Sequence, residues 1–356
     1  MRGLTNCAFG SIMIGAPLRL IHTERMVPLK KILCAAAAAL LLLAIPASGL
    51  CAFAQTAQAE SAKKVIVIKK TTVLRSDAVI SENVVYDVRS GGKLYINPGV
   101  NLTVKGKIKC AEGGEIYVKG NVDSTSGSQI SVSGKMKILS TGCLSLGGTL
   151  AVNDAGVVKG LGTLAVQNSF DDIACKGTVT AKIAAPKPVT KDGITTVGGV
   201  LIVNKQYELP ADYGTELDRD TYSAYLEMKA ASGYDMSIVS GFRSYETQER
   251  VFNNWAARDG YEVARTYSAL PGQSEHQSGL AIDITSLEQS YGNLPEGQWL
   301  AANCWRYGFI IRYPKGKEHI TGYIYEPWHV RYLGTSTAKL VYDSGLTLEE
   351  FLGVAP

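Results

Sequence analysis

Between residues 65 and 185 apolar and polar positions alternate in short runs rich in Gly, Val, Ile, Lys and Ser, without the three-to-four spacing of a helix. Neighbouring residues of a strand point to opposite faces, so Asn101-Leu102-Thr103-Val104, Glu115-Ile116-Tyr117-Val118, Gln129-Ile130-Ser131-Val132 and Cys143-Leu144-Ser145-Leu146 each have one face to bury. Glycines recur every seven residues at Gly92, Gly99, Gly106, Gly113, Gly120, Gly127 and Gly134, and the register resumes at Gly148 and Gly162. The strands fall in every second seven-residue unit, which sets a working repeat of about 14 residues. Repeated strands with glycine between them predict an N-terminal β-solenoid, whose coils share one core. An antiparallel sandwich would need hairpin turns such as Asn-Gly, and none is present in the repeats.

The pattern changes after Ala184-Ala185-Pro186-Lys187-Pro188, where closely spaced prolines block both helix and ladder. Residues 186–193 are therefore expected as a linker between a solenoid over 60–185 and a second domain over 194–356. Helical spacing marks 220–231, 246–265 and 297–307, and strand patterns mark 236–240, 309–312 and 323–332. Mixed elements over some 160 residues predict a compact α+β domain.

The N-terminus reads differently from both. Lys30-Lys31 precedes a run of Ala and Leu over 32–45, and small-residue sites follow at Ala52-Phe53-Ala54 and Ala57-Gln58-Ala59, which is the layout of a secretory signal. Residues 1–25 carry none of that logic, so the expected start is Met26, with a signal peptide over 26–59. Without cleavage, the apolar run is long enough to anchor the chain in a membrane. Five basic residues stand against one acidic residue in 1–59, and the rest of the chain balances at 31 and 31. That balance gives no reason to expect a nucleic-acid partner. The two domains are oppositely charged: 17 Lys/Arg against 9 Asp/Glu over 61–190, and 14 against 21 over 191–356. A basic solenoid could rest on an anionic cell-wall polymer through residues 60–185, or its dispersed lysines could discourage edge pairing. Cys110, Cys143, Cys175 and Cys304 lie beyond the leader in no metal-binding spacing, and are expected as small buried residues.

Candidate chemistry is concentrated in Ser274-Glu275-His276-Gln277-Ser278-Gly279-Leu280-Ala281-Ile282-Asp283 and Tyr325-Glu326-Pro327-Trp328-His329. Alternation over 280–285 sends Asp283 away from the face of Ile282 and Ile284. His276 reaches the same place if the chain turns back at Gly279. With His329 from another strand, two imidazoles and one carboxylate make a three-ligand zinc set with a fourth position open, the catalytic pattern. Zinc lowers the pKa of water to about 7, and Glu326 is the carboxylate placed to act as general base. Glu326 and His329 would face opposite sides of a flat strand, so Pro327 must bend the chain for both to serve one site. His319 is expected on a loop. The alternative kits are incomplete: His-Glu-x-x-His is absent, and Ser336-Thr337-Ala338-Lys339 lacks the further elements that Ser-x-x-Lys peptidases need.

These two stretches resemble the D-alanyl-D-alanine carboxypeptidases of the VanY type, peptidase family M15, subfamily B. The similarity covers about residues 194–353 and extends to Leu201-Ile202-Val203-Asn204-Lys205-Gln206-Tyr207, Ser240-Gly241-Phe242-Arg243-Ser244 and Gly316-Lys317-Glu318-His319-Ile320-Thr321-Gly322. The resemblance implies an M15-type domain in which His276, Asp283 and His329 bind zinc and Glu326 is the general base. It implies substrate contacts from Arg243, Gln248 and Ser274. The solenoid lies outside it. The combined expectation is an exported bacterial zinc carboxypeptidase, secreted or wall-associated, that removes the terminal D-alanine of peptidoglycan stem peptides. An L,D-carboxypeptidase or dipeptidase would use the same residues, and a non-catalytic wall-binding or surface solenoid protein is the remaining alternative.

Overall fold

The computed structural model describes residues 63–356, and the expected leader over 1–59 lies outside them. Residues 64–184 form three parallel six-stranded sheets, and each strand pairs with the third strand along the chain. Lys64–Ile68, Val84–Val88 and Lys107–Cys110, for example, are successive strands of one sheet. The result is a three-sided β-solenoid of about six coils. Asn101 pairs with Asn121 and Asn121 with Cys143, offsets of 20 and 22 residues. One coil is therefore three seven-residue sides, and the expected repeat of about 14 residues is corrected to a coil near 21. The triangular coil was hidden because every second strand, such as Lys107–Cys110, Asn121–Ser124 and Lys135–Ile138 on the three different sides, directs Cys110, Ser124 or Met136 inward and polar or charged residues outward. Second and fourth residues of the four-residue strands from Lys93–Ile96 to Thr163–Val166 are buried, which fills the interior mainly with Ile, Val and Leu. Corner glycines let coils stack: a Cβ on Gly106 would collide with the carbonyls of Ser81 and Val84 in the coil beneath.

Pro186 and Pro188 lead into a small antiparallel sheet of Val189–Lys191, Ile194–Val197 and Val200–Leu201. The C-terminal part has helices α1 (Arg219–Ser232), α2 (Tyr245–Asp259), α3 (Tyr261–Ala264), α4 (Pro295–Asn303), α5 (Glu318–Thr321), α6 (Thr335–Ser344) and α7 (Leu348–Leu352). The helix expected over 246–265 is broken at Gly260, whose φ of 87° is left-handed. A four-stranded antiparallel sheet runs in the order Ile238–Ser240, Ala281–Ile284, Glu326–Tyr332, Phe309–Tyr313. One apolar cluster joins Ile282, Ile284, Phe309 and Val330 of the sheet to Tyr225 and Met228 of α1 and Leu300 of α4.

A second cluster joins the two parts of the chain. It runs from Ile68 and Ile80 through the solenoid interior to Phe170 and on to Ala338, Leu340, Phe351 and Leu352 of α6 and α7. Phe170 and Phe351 meet with ring centroids 5.0 Å apart, and the Cys175 N–H donates to Ser336 Oγ at 3.2 Å. The last coil is thus capped by the final two helices. Cys110, Cys175 and Cys304 are buried free thiols, Cys143 is half-buried and also free, and burial raises Cys110 and Cys175 to about 11. Among the described residues no helix is long and apolar enough to cross a membrane.

Candidate metal centre and cleft

Three side chains meet where two central strands run side by side. Asp283 and His329 are direct cross-strand partners, which brings Asp283 Oδ1 to 3.1 Å from His329 Nδ1. His276 arrives from the turn of 3₁₀-helix Glu275–Ser278, which ends on Gly279 at φ 72°. A Cβ there would strike the Glu216 carbonyl, so the chain turns back as expected. His276 Nε2 then lies 3.2 Å from Asp283 Oδ2. The ligand atoms of the three residues all lie within 4.8 Å of one another, and all three side chains are buried. The bend required at Pro327 is present as a bulge: Ile311 pairs with Val330 but Tyr313 pairs with Glu326, so the outer strand advances two residues while the inner one advances four. This returns Glu326 to the side of His329, with Glu326 Oε2 3.7 Å from His329 Nδ1.

The outer ring nitrogens fix the tautomers. His276 Nδ1 lies 2.8 Å from the Gly241 carbonyl, which can only accept, so Nδ1 carries the proton and Nε2 presents a lone pair to Asp283. His329 Nε2 faces Glu275 Oε2 at 3.5 Å, which leaves Nδ1 toward Asp283 and Glu326. Burial lowers the pKa of His276 despite the Asp283 charge. Burial also opposes the Asp283 charge, but His276 and His329 outweigh it and hold the carboxyl well below its usual range. For His329 burial is more than reversed by Asp283 and Glu275, which lift it to about 9. Glu326 is driven up to about 8, chiefly by burial and further by Asp283, with His329 and Arg243 opposing. Asp283 Oδ1 is buried without a hydrogen-bond partner. A lone pair on His276 Nε2 confronting the ionised Asp283 carboxylate, whose Oδ1 lies without a hydrogen-bond partner beside His329 Nδ1, makes a donor set that fits a cation, which would take the place of the proton His329 holds in the metal-free protein.

A cavity of about 700 Å³ opens over this cluster, lined by Ser240, Arg243, Trp255, Ser274, Tyr313 and Trp328 among others. A family model described as VanY, D-alanyl-D-alanine carboxypeptidase, matches residues 214–335, which contain the cluster. The putative carboxypeptidase YodJ of Bacillus subtilis strain 168 is 39% identical over 192 residues, covering 45% of this chain and 70% of the relative. The chain belongs to the VanY family. A bifunctional D-Ala-D-Ala dipeptidase and carboxypeptidase of Enterococcus gallinarum is 34% identical over 151 residues, 40% of this chain and 80% of the relative. Among solved structures, DacB from Streptococcus pneumoniae D39 shares 39% identity, covers 48% of this chain and 96% of its own, and has a TM-score of 0.44. The matched VanY region begins after the solenoid ends.

Within the VanY-type cleft the remaining candidates separate. Ser274 lines the cavity. Arg243 also lines it, with Nη2 donating to Ser240 Oγ at 2.8 Å and lying 3.9 Å from Asp283 Oδ2. Gln248, expected to touch substrate, is fully buried: its Oε1 accepts from Arg243 Nη1 at 2.7 Å and its Nε2 donates to the Ala269 carbonyl at 2.6 Å. Both ends of the amide are used, so Gln248 orients Arg243 from behind. His319 is exposed on α5 and outside the cavity lining. Ser336 and Lys339 lie on α6 against the solenoid, Lys339 paired with Asp343 at 2.8 Å, which explains the stray Ser-x-x-Lys match as packing. The sequence reading gave no role to Glu275, whose only signal was a carboxylate directly before a candidate ligand. Tyr313, its ring tilted against His329 with centroids 4.9 Å apart, was also missed because nothing local marks it.

Proposed function

We propose that this chain is an exported zinc carboxypeptidase that removes the C-terminal D-alanine of peptidoglycan stem peptides, with residues 1–59 as its leader and the cleft carried on a solenoid spacer. The observation that carries the reading is the buried convergence of His276 Nε2, Asp283 and His329 Nδ1, with Asp283 Oδ1 lacking a hydrogen-bond partner among the described residues. His276, Asp283 and His329 are the proposed ligands. Zinc held there would supply a Lewis acid for the scissile carbonyl and make water a nucleophile near neutral pH.

The chain's own groups account for the rest. Glu326, buried beside His329, takes a proton from the attacking water on its Oε2 and returns it to the departing amine, and its elevated proton affinity suits both halves of that transfer. Arg243 offers a fixed planar fork to a free terminal carboxylate, and Gln248 and Ser240 hold its orientation. Ser274 adds a hydroxyl on the cavity wall. Support for a stem-peptide substrate comes from membership of the VanY family and from the relatives' names, which specify D-Ala-D-Ala and carboxypeptidase activity.

The test is incubation of the purified protein with tetrapeptide and pentapeptide stems, with and without chelator, followed by mass spectrometry of the products. Release of one D-alanine from the pentapeptide, abolished by chelator and restored by zinc, is expected. Cleavage only of the tetrapeptide would move the assignment to an L,D-carboxypeptidase, release of a dipeptide would make it a dipeptidase, and full activity without metal would overturn the mechanism.

A further inference from the structure

Behind the metal centre lies a buried ionic relay that reaches the end of the solenoid. Glu275 is 1% exposed, and one of its oxygens serves two arginines: Oε1 accepts from Arg312 Nε at 2.8 Å and from Arg331 Nη1 at 2.6 Å. Its other oxygen, Oε2, has no hydrogen-bond partner although it is buried, and the same is true of His329 Nε2, which faces it at 3.5 Å. Two orphaned polar atoms of opposite character aimed at each other are not a packing accident, since each left alone would cost on the order of 1–3 kcal/mol.

The arginines are fixed in turn. Arg331 Nη2 donates to the Leu201 carbonyl at 2.7 Å. Arg312 is fully buried and its Nη1 donates to Glu349 Oε2 at 2.9 Å, while Asn204 Nδ2 donates to Glu349 Oε1 at 3.2 Å. Glu349 belongs to α7, whose Phe351 sits on Phe170 at the last coil of the solenoid. A continuous, solvent-free path therefore runs from His329 through Glu275, Arg312 and Glu349 to the capping helix.

We propose that Glu275 is the positioning residue for His329, and that α7 braces it through Glu349 and Arg312, so that the solenoid cap tunes the metal affinity of the cleft. The proposal rests on His329 being a metal ligand, as read above. A carboxylate on the outer nitrogen of a ligating histidine fixes its ring and raises its basicity, and loss of such a partner costs about 10–100-fold in metal affinity.

The experiment measures zinc affinity by competition with a chromophoric chelator, and the visible spectrum of the cobalt-loaded protein, in the full chain. Glu275→Gln removes the charge. Glu275→Asp keeps the charge for the two arginines but withdraws it from His329, so it isolates positioning from folding. Both are expected to weaken zinc by about 10–100-fold and to alter the cobalt spectrum. Glu349→Gln, which touches no ligand, is expected to weaken zinc in the same direction by a smaller factor. It decides the matter if the Glu275 variants are insoluble. Wild-type affinity and spectrum in Glu275→Asp and Glu349→Gln would overturn the proposal while leaving the zinc assignment intact. Absence of zinc binding by the unsubstituted protein would instead overturn the assignment on which it rests.

Discussion

Truncating Phe351 to alanine tests whether the solenoid and the VanY-type part unfold together. Phe351 is 3% exposed and packs on Phe170 across the junction. Removing a buried phenylalanine ring costs about 3–5 kcal/mol, cavity included, so ~4 kcal/mol is the working figure. Unfolding entropy near 60 °C is about 2.1 cal/mol/K per residue, or ~0.6 kcal/mol/K for a unit of ~290 residues. One cooperative unit therefore predicts a single calorimetric transition lowered by ~6–7 °C. If the solenoid melted separately, the same loss would fall on ~160 residues, moving one transition by ~12 °C and leaving the other in place. Differential scanning calorimetry separates the two outcomes, because both size and number of the shifts differ. Two transitions, only one of them displaced, would refute the shared-core argument.

Glu326→Gln should lower kcat by about 10²–10⁴ while leaving KM and zinc content near their original values, because the carboxylate moves a proton and does not hold substrate. Retention of activity within a factor of a few in stopped assays would remove Glu326 from the reaction. Arg243→Lys should reduce kcat/KM by about 10–100-fold on stems with a free terminal carboxylate, the value of a charge-assisted bond. The same substitution should leave C-terminally amidated stems unaffected, and an equal loss on both would mean that the fork serves folding. In the metal-free protein, Glu326 and His329 have native proton affinities raised to about 8 and about 9, above those of the unfolded chain. Between pH 7 and 9 the folded state holds protons that the unfolded state has released, so stability falls as pH rises through that window. Melting temperatures of chelator-treated protein at pH 7, 8 and 9 should decline in order, and a flat or rising series would contradict the assigned protonation.

The glycine register was readable from sequence because stacking physically forbids a Cβ at the corners, as at Gly106 over the Ser81 and Val84 carbonyls. The number of sides was not, since inward Cys110, Ser124 and Met136 weaken the apolar alternation of every other strand. His276, Asp283, His329 and Glu326 were recognisable because the chain offers few histidines and their neighbours supply the turns, Gly279 and Pro327, that the geometry demands. Glu275, Arg312 and Glu349 were not, because a charge looks solvated until tertiary packing buries it. Helices α6 and α7 were not marked by the sequence pattern either, although their apolar residues complete the core of a different part of the chain.

The coil offset near 21 residues has a further consequence for how such a chain can change length. Adjacent strands in a sheet are about 4.8 Å apart, so whole coils can be gained or lost in steps of that size without disturbing the cap. Insertions of one or two sides would rotate every later strand onto the wrong face of the triangle and misdirect the last coil under α6. The reach of the cleft is therefore quantised, adjustable by duplication in units of a full coil and intolerant of anything smaller.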